Sequence, residues 1–351
     1  MRWIQSLPSC PLDVIGDVHG EIDALNLQLA ALGYDSGQAQ AQGRKLVFVG
    51  DLVDRGPDSL AVLRRVRGLV EEGAALVVLG NHELNLLRWE RKSGNHWFYG
   101  ADEVIRDGIL YDSVKADRAE RQEILGFLAA QPLALERSDL RVVHACWHPP
   151  SIEALRIAPN VPIGDLVDQW DTLIHTRLQE AGVPKRAEQE RAPYDLRDPD
   201  YTPPLLQWTA EEELARQTGN PVRVLTSGLE QLAERPFFAA GRWRMLRRVP
   251  WWEDYIGPLV VVGHYWRRSP RMPPLQRHGG IFDGDEPFRA MGRGDVYCVD
   301  FSVGRRYFER LGGAPPFKGQ LGALRCPAEG QDGPWEVFLD DEAHPVRMRR
   351  R

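Results

Sequence analysis

The sequence predicts an α/β fold in which helices cover a largely parallel sheet, and three observations lead there. Short apolar runs rich in Val, Leu and Ile recur along the chain, as a strand buried on both faces requires. Segments with apolar residues at helical spacing separate the first of these runs. Most of the runs end in a glycine followed by a polar residue, which is turn chemistry at the end of a strand. The runs are LDVIGD to Asp17, KLVFVGD to Asp51, LVVLGN to Asn81, LRVVH to His144 and LVVVGH to His264.

Taken in order, the strand before Asp17 is followed by EIDALNLQLAALG, with Ile22, Leu25, Leu29 and Leu32 on one helical face. The strand before Asp51 leads to PDSLAVLRRVRGLVEEG, where Pro57 suits a first helical turn and Gly73 a stop. The strand reaching Gly80 leads to HELNLLRWERK, again helix-like. This β-α-β-α-β-α order is that of a sheet covered by helices. A helix around 117–130 and strands near 132–136 and 140–145 are expected next. Residues 183–204, rich in proline and charge, read as a long surface excursion. Apolar runs resume at Leu259–Val262, 295–304, 320–326 and 335–340, and these late strands suggest a second sheet packed on the first. One catalytic domain over 1–351 is expected, interrupted by an insert at about 150–258.

Composition narrows the function classes. With 43% hydrophobic and 27% charged residues, the 351-residue chain has the make-up of a globular protein able to bury a large core. Cys10, Cys146, Cys298 and Cys326 are scattered, which suggests neither a zinc knuckle nor a disulfide framework. No apolar run approaches the roughly 18 residues of a membrane span, so no membrane partner is expected and the cytoplasm is the expected compartment. A net charge of −6 argues against a general nucleic-acid binder. GRWRMLRRVPWWEDY (241–255) interleaves arginines with Trp243, Trp251 and Trp252. It reads as an amphipathic edge strand with core tryptophans and solvated arginines, the alternative being a nucleotide surface. His96, His175, His278 and His344 read as surface or packing residues, and the closing MRRR as a solvated basic tail.

The residues at the strand ends carry the chemistry. A turn has no need of Asp, Asp, Asn, His and His, whereas a metal site does. Asp17 and His19 lie two residues apart and can face one ion. Asp51 can lend its two oxygens to two ions, Asn81 offers an amide oxygen, and His144 and His264 add nitrogen. Mixed O and N donors without thiolate fit Mn, Fe, Zn or Co, and suit neither a structural zinc site nor calcium. Two ions about 3.5–4 Å apart would clamp a phosphate and generate hydroxide between them. Glu83 has a simpler reading, as an acid favoured at a helix N-terminus.

GDVHG (16–20), GDLVDRGP (50–57), GNHE (80–83), His144 at a strand end and GH (263–264) together resemble the calcineurin-like metallophosphoesterases. The resemblance covers about 17–264 and is nearest the branch of the Ser/Thr protein phosphatases and symmetrical diadenosine tetraphosphatases. It implies an α/β/β/α sandwich of two central sheets flanked by helices. It implies two divalent ions, manganese foremost, with Asp17 and His19 on the first, Asp51 bridging, and Asn81, His144 and His264 on the second. His82 resembles the general acid, Asp54 its orienting carboxylate and Arg55 a phosphate clamp. Arg248 and Arg244 are candidates for the family's second clamp, with Arg248 the first choice.

Two departures bear on substrate. HACWHPP (144–150) stands where many relatives have a small glycine-rich turn, so a bulky Trp147 is expected to reshape the pocket. Asp54 is present as in the protein phosphatases, whereas RGPDSLAVL (55–63) resembles the tetraphosphatase helix. The expectation leans to a Ser/Thr protein phosphatase-like phosphomonoesterase, acting on a phosphorylated protein or a small phosphoester or nucleotide. Hydrolysis of dinucleoside polyphosphates is the alternative, and a non-catalytic phosphate-binding module the third reading.

Overall fold

Leu12–Ile15 is buried at every position, which places it inside a sheet rather than at an edge. In the computed structural model it pairs in parallel with Lys45–Phe48, which pairs in parallel with Ala75–Val77. On its other side runs Gly322–Cys326, antiparallel, followed by Glu336–Leu339 and Val346–Arg347. A second sheet has the order Ile4–Ser6, Ala134–Glu136, Leu140–Val143, Leu259–Val262, Val296–Cys298, and its last three strands are parallel. The structure describes residues 3–104, 110–111, 113–239, 241–273, 281–282, 286–313 and 315–350. His278 and Arg351, the latter closing the basic tail, lie outside them.

The alternation of side chains along a strand decides how the sheets stack. Leu12, Val14, Val47, Leu140, Val142, Val261, Tyr297 and Leu324 form one cluster that joins the inner faces of both sheets. Ile15, Leu46 and Phe48 point the other way, into the cluster that holds Leu25, Leu29, Val62, Leu63 and Val66 of the covering helices. Each fully buried aliphatic side chain contributes about 1.5–3 kcal/mol relative to exposure. The result is the expected α/β/β/α sandwich. The late strands, however, do not form a second sheet of their own. Leu259–Val262 and Val296–Cys298 extend the sheet of Leu140–Val143, while Gly322–Cys326 and Glu336–Leu339 extend the first. Both sheets are therefore mixed rather than largely parallel.

Local chemistry explains a few helix ends and two further differences. Ile22–Leu32 stops at Gly33, whose N–H donates to the Ala30 carbonyl and whose φ of 87° turns the chain so that the Tyr34 N–H reaches the Leu29 carbonyl. Ser59–Glu71 starts later than expected, because Asp58 accepts a hydrogen bond from the Ala61 N–H at 2.8 Å and is the cap. Pro57 thus precedes the helix. Val183–Arg191 is helical where an irregular excursion was expected. Pro184 sits in its first turn, where a missing N–H costs nothing, and Val183 and Ala187 are buried. Of that stretch only 192–204 fits the irregular reading.

Arg242–Arg248 pairs with Glu230–Ala239 in a two-stranded hairpin apart from the central sheets. Met245 and Leu246 anchor it against Leu206 and Ala210 at the start of Gln207–Thr218. Trp251 and Trp252 are core residues, Trp243 is half-buried, and Arg247 and Arg248 are exposed. His175 and His344 are exposed, in keeping with a surface reading. Among the described residues no helix is long and apolar enough to cross a membrane, and all four cysteines are free.

Candidate metal centre

The ends of five strands, three from one sheet and two from the other, meet at one rim, and Asp51 lies at the middle of it. Its Oδ2 is 3.3 Å from His144 Nε2, 3.8 Å from His19 Nε2 and 3.9 Å from His82 Nε2. His19 Nε2 is also 3.9 Å from Asp17 Oδ2. Asn81 Oδ1 is 2.9 Å from His264 Nδ1 and 3.3 Å from His144 Nε2. The structure thus brings all six sequence-predicted ligands together. Two overlapping triads, His19–Asp51–His82 and Asp51–His144–His264, have ligand atoms close enough to hold a cation each, with Asp51 shared.

The donor set fits divalent ions on several counts. His19 Nδ1–H donates to the Val53 carbonyl at 3.1 Å and His144 Nδ1–H to the Val49 carbonyl at 2.8 Å. Carbonyls only accept, so Nδ1 carries a hydrogen in both rings and Nε2 is the nitrogen turned into the cluster. Burial, and then the charge of Asp300, pushes the Asp17 carboxyl well above its usual range. Burial pushes Asp51 the same way, but His144, His82 and His19 outweigh it and hold it well below. His144 is pushed up to about 10, because Asp51 overrides the burial that would lower it. Buried carboxylates set close together among imidazole nitrogens suit a cation site.

The backbone is strained around the cluster. His19, Asp51, Asp54, Arg55, His264 and Trp266 all have positive φ, between 47° and 73°. Each such residue costs about 1–3 kcal/mol and persists only where its surroundings impose it. Glu83 is one of those surroundings. It is fully buried and accepts from the N–H groups of Gly80 at 2.9 Å, Asp51 at 2.8 Å and Leu52 at 2.7 Å. It therefore does more than sit at a helix N-terminus, since it ties the Asp51 turn to the Gly80–Asn81 turn. A Cβ on Gly80 would meet Asp51, and one on Gly263 would meet the Asp17 carboxylate, so neither position admits a side chain.

Glu83→Gln sets an NH₂ against a backbone N–H and should cost about 1–3 kcal/mol of stability. Metal affinity should fall by about 10–100-fold, as for other groups that orient ligands. Thermal melts and metal titration check both, and unchanged values would exclude the tie.

Beside the cluster, His82 Nδ1 is 2.6 Å from Asp54 Oδ2, so Nδ1 carries the hydrogen and Nε2 faces the site. Asp54 is itself held by the Trp97 indole N–H at 2.7 Å on its other oxygen, while its backbone N–H donates to Ser59 Oγ at 2.9 Å. Arg55 points its fork inward, with Nη1 2.8 Å from His19 Nε2 and Nη2 3.2 Å from His82 Nε2. Arg248 Nη2 lies 3.2 Å from His264 Nε2, so the exposed hairpin reaches the same cluster. Arg244 does not touch the ligands.

Trp147 does not line the site. It is buried in the core with the Arg141 guanidinium 4.6 Å over its ring, because the chain turns inward before the Pro149–Arg156 helix. Trp266 takes the place expected of it: its ring centroid is 6.4 Å from His19, and Arg55 stacks 4.6 Å above it. Asp300 also escaped the sequence reading. It is buried, accepts from the N–H groups of Trp266 at 2.7 Å and Ser302 at 2.8 Å, and pins the strained His264–Trp266 turn. Its signal was available, since DVYCVD ends an apolar run in a carboxylate just as Asp17 and Asp51 do. Nothing marks Trp266.

Residues 10–170 match the calcineurin-like phosphoesterase family. A symmetrical bis(5'-nucleosyl)-tetraphosphatase of Janthinobacterium sp. (strain Marseille) is 43% identical over 131 residues, 37% of this chain and 42% of that protein. An asymmetrical bis(5'-nucleosyl)-tetraphosphatase PrpE of Oceanobacillus iheyensis is 31% identical over 172 residues, 46% of this chain and 67% of that protein. A solved protein serine/threonine phosphatase from Saccharomyces cerevisiae aligns at a TM-score of 0.46 and 14% identity, over 93% of this chain and 76% of that one. The chain belongs to the calcineurin-like phosphoesterases. The chain matches only part of the length of its curated relatives, 42% of the Janthinobacterium protein and 55% of a further asymmetrical tetraphosphatase PrpE, from Bacillus velezensis.

Proposed function

We propose that this protein is a metal-dependent hydrolase whose substrate is a small nucleotide of the dinucleoside polyphosphate kind. The observation that carries the hydrolase reading is the six-donor cluster around Asp51 with the Asp54–His82 pair and Arg55 set against it. A binding module has no use for that pair. The chain is read as one catalytic domain over 1–351, with the helices and hairpin between about 150 and 258 as its insert.

When bound, a pair of divalent ions supplies an activated water near neutral pH and offsets charge on the phosphate. Asp17, His19 and Asp51 would hold one ion, and Asp51, Asn81, His144 and His264 the other. Manganese is the proposed metal, the same donors being open to Fe, Zn or Co. Arg55 has the planar fork that grips two oxygens of a tetrahedral oxyanion, and Trp266 stacks beneath it. Asp54 keeps the His82 hydrogen on Nδ1. A second proton on Nε2 then points into the site and can pass to the leaving oxygen.

The substrate moves away from the phosphomonoester that Asp54 favoured in the sequence. The curated relatives described above carry tetraphosphatase names, and that likeness supports the dinucleotide. The experiment is to compare kcat/KM for diadenosine tetraphosphate with that for a phosphoserine peptide. A clear preference for the dinucleotide is expected. Equal or better turnover of the peptide would restore the protein-phosphatase reading.

A further inference from the structure

Arg55 is the clamp of the proposed reaction, yet no carboxylate aims it. The nearby Asp51 and Asp54 pair with histidines, and among the described residues none stands within ion-pair distance of Arg55. Its side chain bonds to imidazoles instead, Nη1 to His19 Nε2 at 2.8 Å and Nη2 to His82 Nε2 at 3.2 Å. Both nitrogens have other work in the reaction proposed above, since His19 Nε2 is a metal donor and His82 Nε2 carries the proton for the leaving oxygen. A nitrogen that binds an ion or carries a hydrogen accepts no bond from Arg55. Two contacts remain to hold the fork. The Trp266 ring lies under the guanidinium, its centroid 4.6 Å from Cζ. The turn at Gly304 leaves room for Nη1, which a Cβ there would meet at 3.1 Å.

The core does not place Trp266 there. It is half-buried and belongs to neither apolar cluster of the sandwich, whereas its neighbour Tyr265 is buried in one of them. Its φ of 56° is a strained conformation for a bulky residue. Two turns clasp each other to impose it. The Asp300 carboxylate accepts the Trp266 N–H at 2.7 Å and the Ser302 N–H at 2.8 Å, and the Ser302 hydroxyl donates to the Arg267 carbonyl at 2.8 Å. On the near side, the His264 N–H donates to Asp17 Oδ2 at 3.0 Å. A turn tied at both ends gives the indole one position. The face of an indole attracts a guanidinium and fixes its plane without using its N–H groups, which are left to a phosphate.

We infer that Trp266 is a positioning residue: its ring is the platform that aims the Arg55 fork at the substrate phosphate, and the Asp300–Ser302 clasp fixes that platform. The inference rests on the hydrolase reading of the same centre and adds a residue to it. Trp266 lies outside residues 10–170, where the family match falls. Leu in its place fills space but has no ring face, and Phe keeps part of that face, so the two substitutions separate filling from stacking.

The test is a double-mutant cycle on equilibrium binding. Inorganic orthophosphate is titrated by calorimetry into the full chain loaded with Mn²⁺, with metal content and a thermal melt on each sample. Arg55→Gln should weaken binding by about 10–100-fold. Trp266→Leu should weaken it by about 3–30-fold with both ions retained. In the Arg55→Gln background the same change should add little, because the platform acts only through the fork. Trp266→Phe should fall between Leu and wild type, and it closes the cycle if the Leu variant does not fold. No measurable orthophosphate binding by wild type, or unchanged binding in Trp266→Leu, would overturn the platform. So would an equal loss with and without Arg55, or a loss of metal in Trp266→Leu, either of which makes the indole a support for its turn. Hydrolysis of an aryl phosphate is scored separately. Its absence would strike the hydrolase reading while the cycle still decides the platform.

Discussion

Asp51→Asn is expected to lose both metal ions and with them all measurable turnover. Asp51 is the only carboxylate whose oxygen stands within 4 Å of His19, His82 and His144 at once, among the described residues. An amide there removes the negative charge that both triads share and gives one face of the side chain to an NH₂ donor. The three imidazoles then surround a group that no longer balances a cation. Breaking a buried charged constellation from one side costs about 3–5 kcal/mol, about 10²–10⁴ in an equilibrium constant. Metal content per chain should fall below one ion, and chelator should do to wild type what the mutation does permanently. Mn²⁺ should restore the chelated wild type and fail to restore Asp51→Asn.

Two control substitutions give that experiment its meaning. Asp102 is an exposed residue paired with Lys115, and Asp117 caps the Arg118–Ala129 helix. Asp102→Asn and Asp117→Asn should leave activity near wild type, since a surface pair is worth at most about 1 kcal/mol and Asn caps almost as well as Asp. Full turnover in chelator would overturn the metal assignment. So would an Asp51→Asn chain that keeps two ions.

The candidate ligands were legible as a group because each marks a local event. At Asp17, Asp51, Asn81 and His264 an apolar run ends, a glycine turns the chain, and the next side chain is of a type that can bind metal. Strand alternation and a positive φ at His19, Asp51 and His264 do the rest. What stayed hidden depends on contacts between distant segments. The sequence shows that 322–326 is a strand but not that it pairs with Leu12–Ile15 rather than with its later neighbours. The same holds for the two tryptophans. Trp147 and Trp266 each follow a ligand histidine closely, and only the packed structure shows that one turns into the core and the other toward Arg55. The helix Val183–Arg191 was hidden by its own composition, since Pro184 breaks a helix in the middle and starts one at the front.

His82→Ala is expected to keep both ions and still lose turnover by about 10²–10⁴-fold, the usual worth of a general acid. The separation is possible because of where the ring sits. His82 Nδ1 is committed to Asp54, and Nε2 stands 3.9 Å from the Asp51 oxygen and 3.2 Å from Arg55. The other donors around Asp51, which are His19, His144 and the Asn81–His264 pair, do not depend on it. If the role is proton donation, the defect should track the leaving group. An alkoxide needs the proton most, a nitrophenolate hardly at all, and a nucleoside polyphosphate lies between them. Asp54→Ala should show the same order with a smaller amplitude, because the ring remains but its hydrogen is no longer held on Nδ1. The measurement is kcat/KM for alkyl phosphate, aryl phosphate and diadenosine tetraphosphate in wild type and both variants, with metal content determined on each sample. A loss of metal in His82→Ala would make the imidazole a ligand, as its place in one triad allows. An equal loss on all three substrates with both ions retained would make it a binding contact instead.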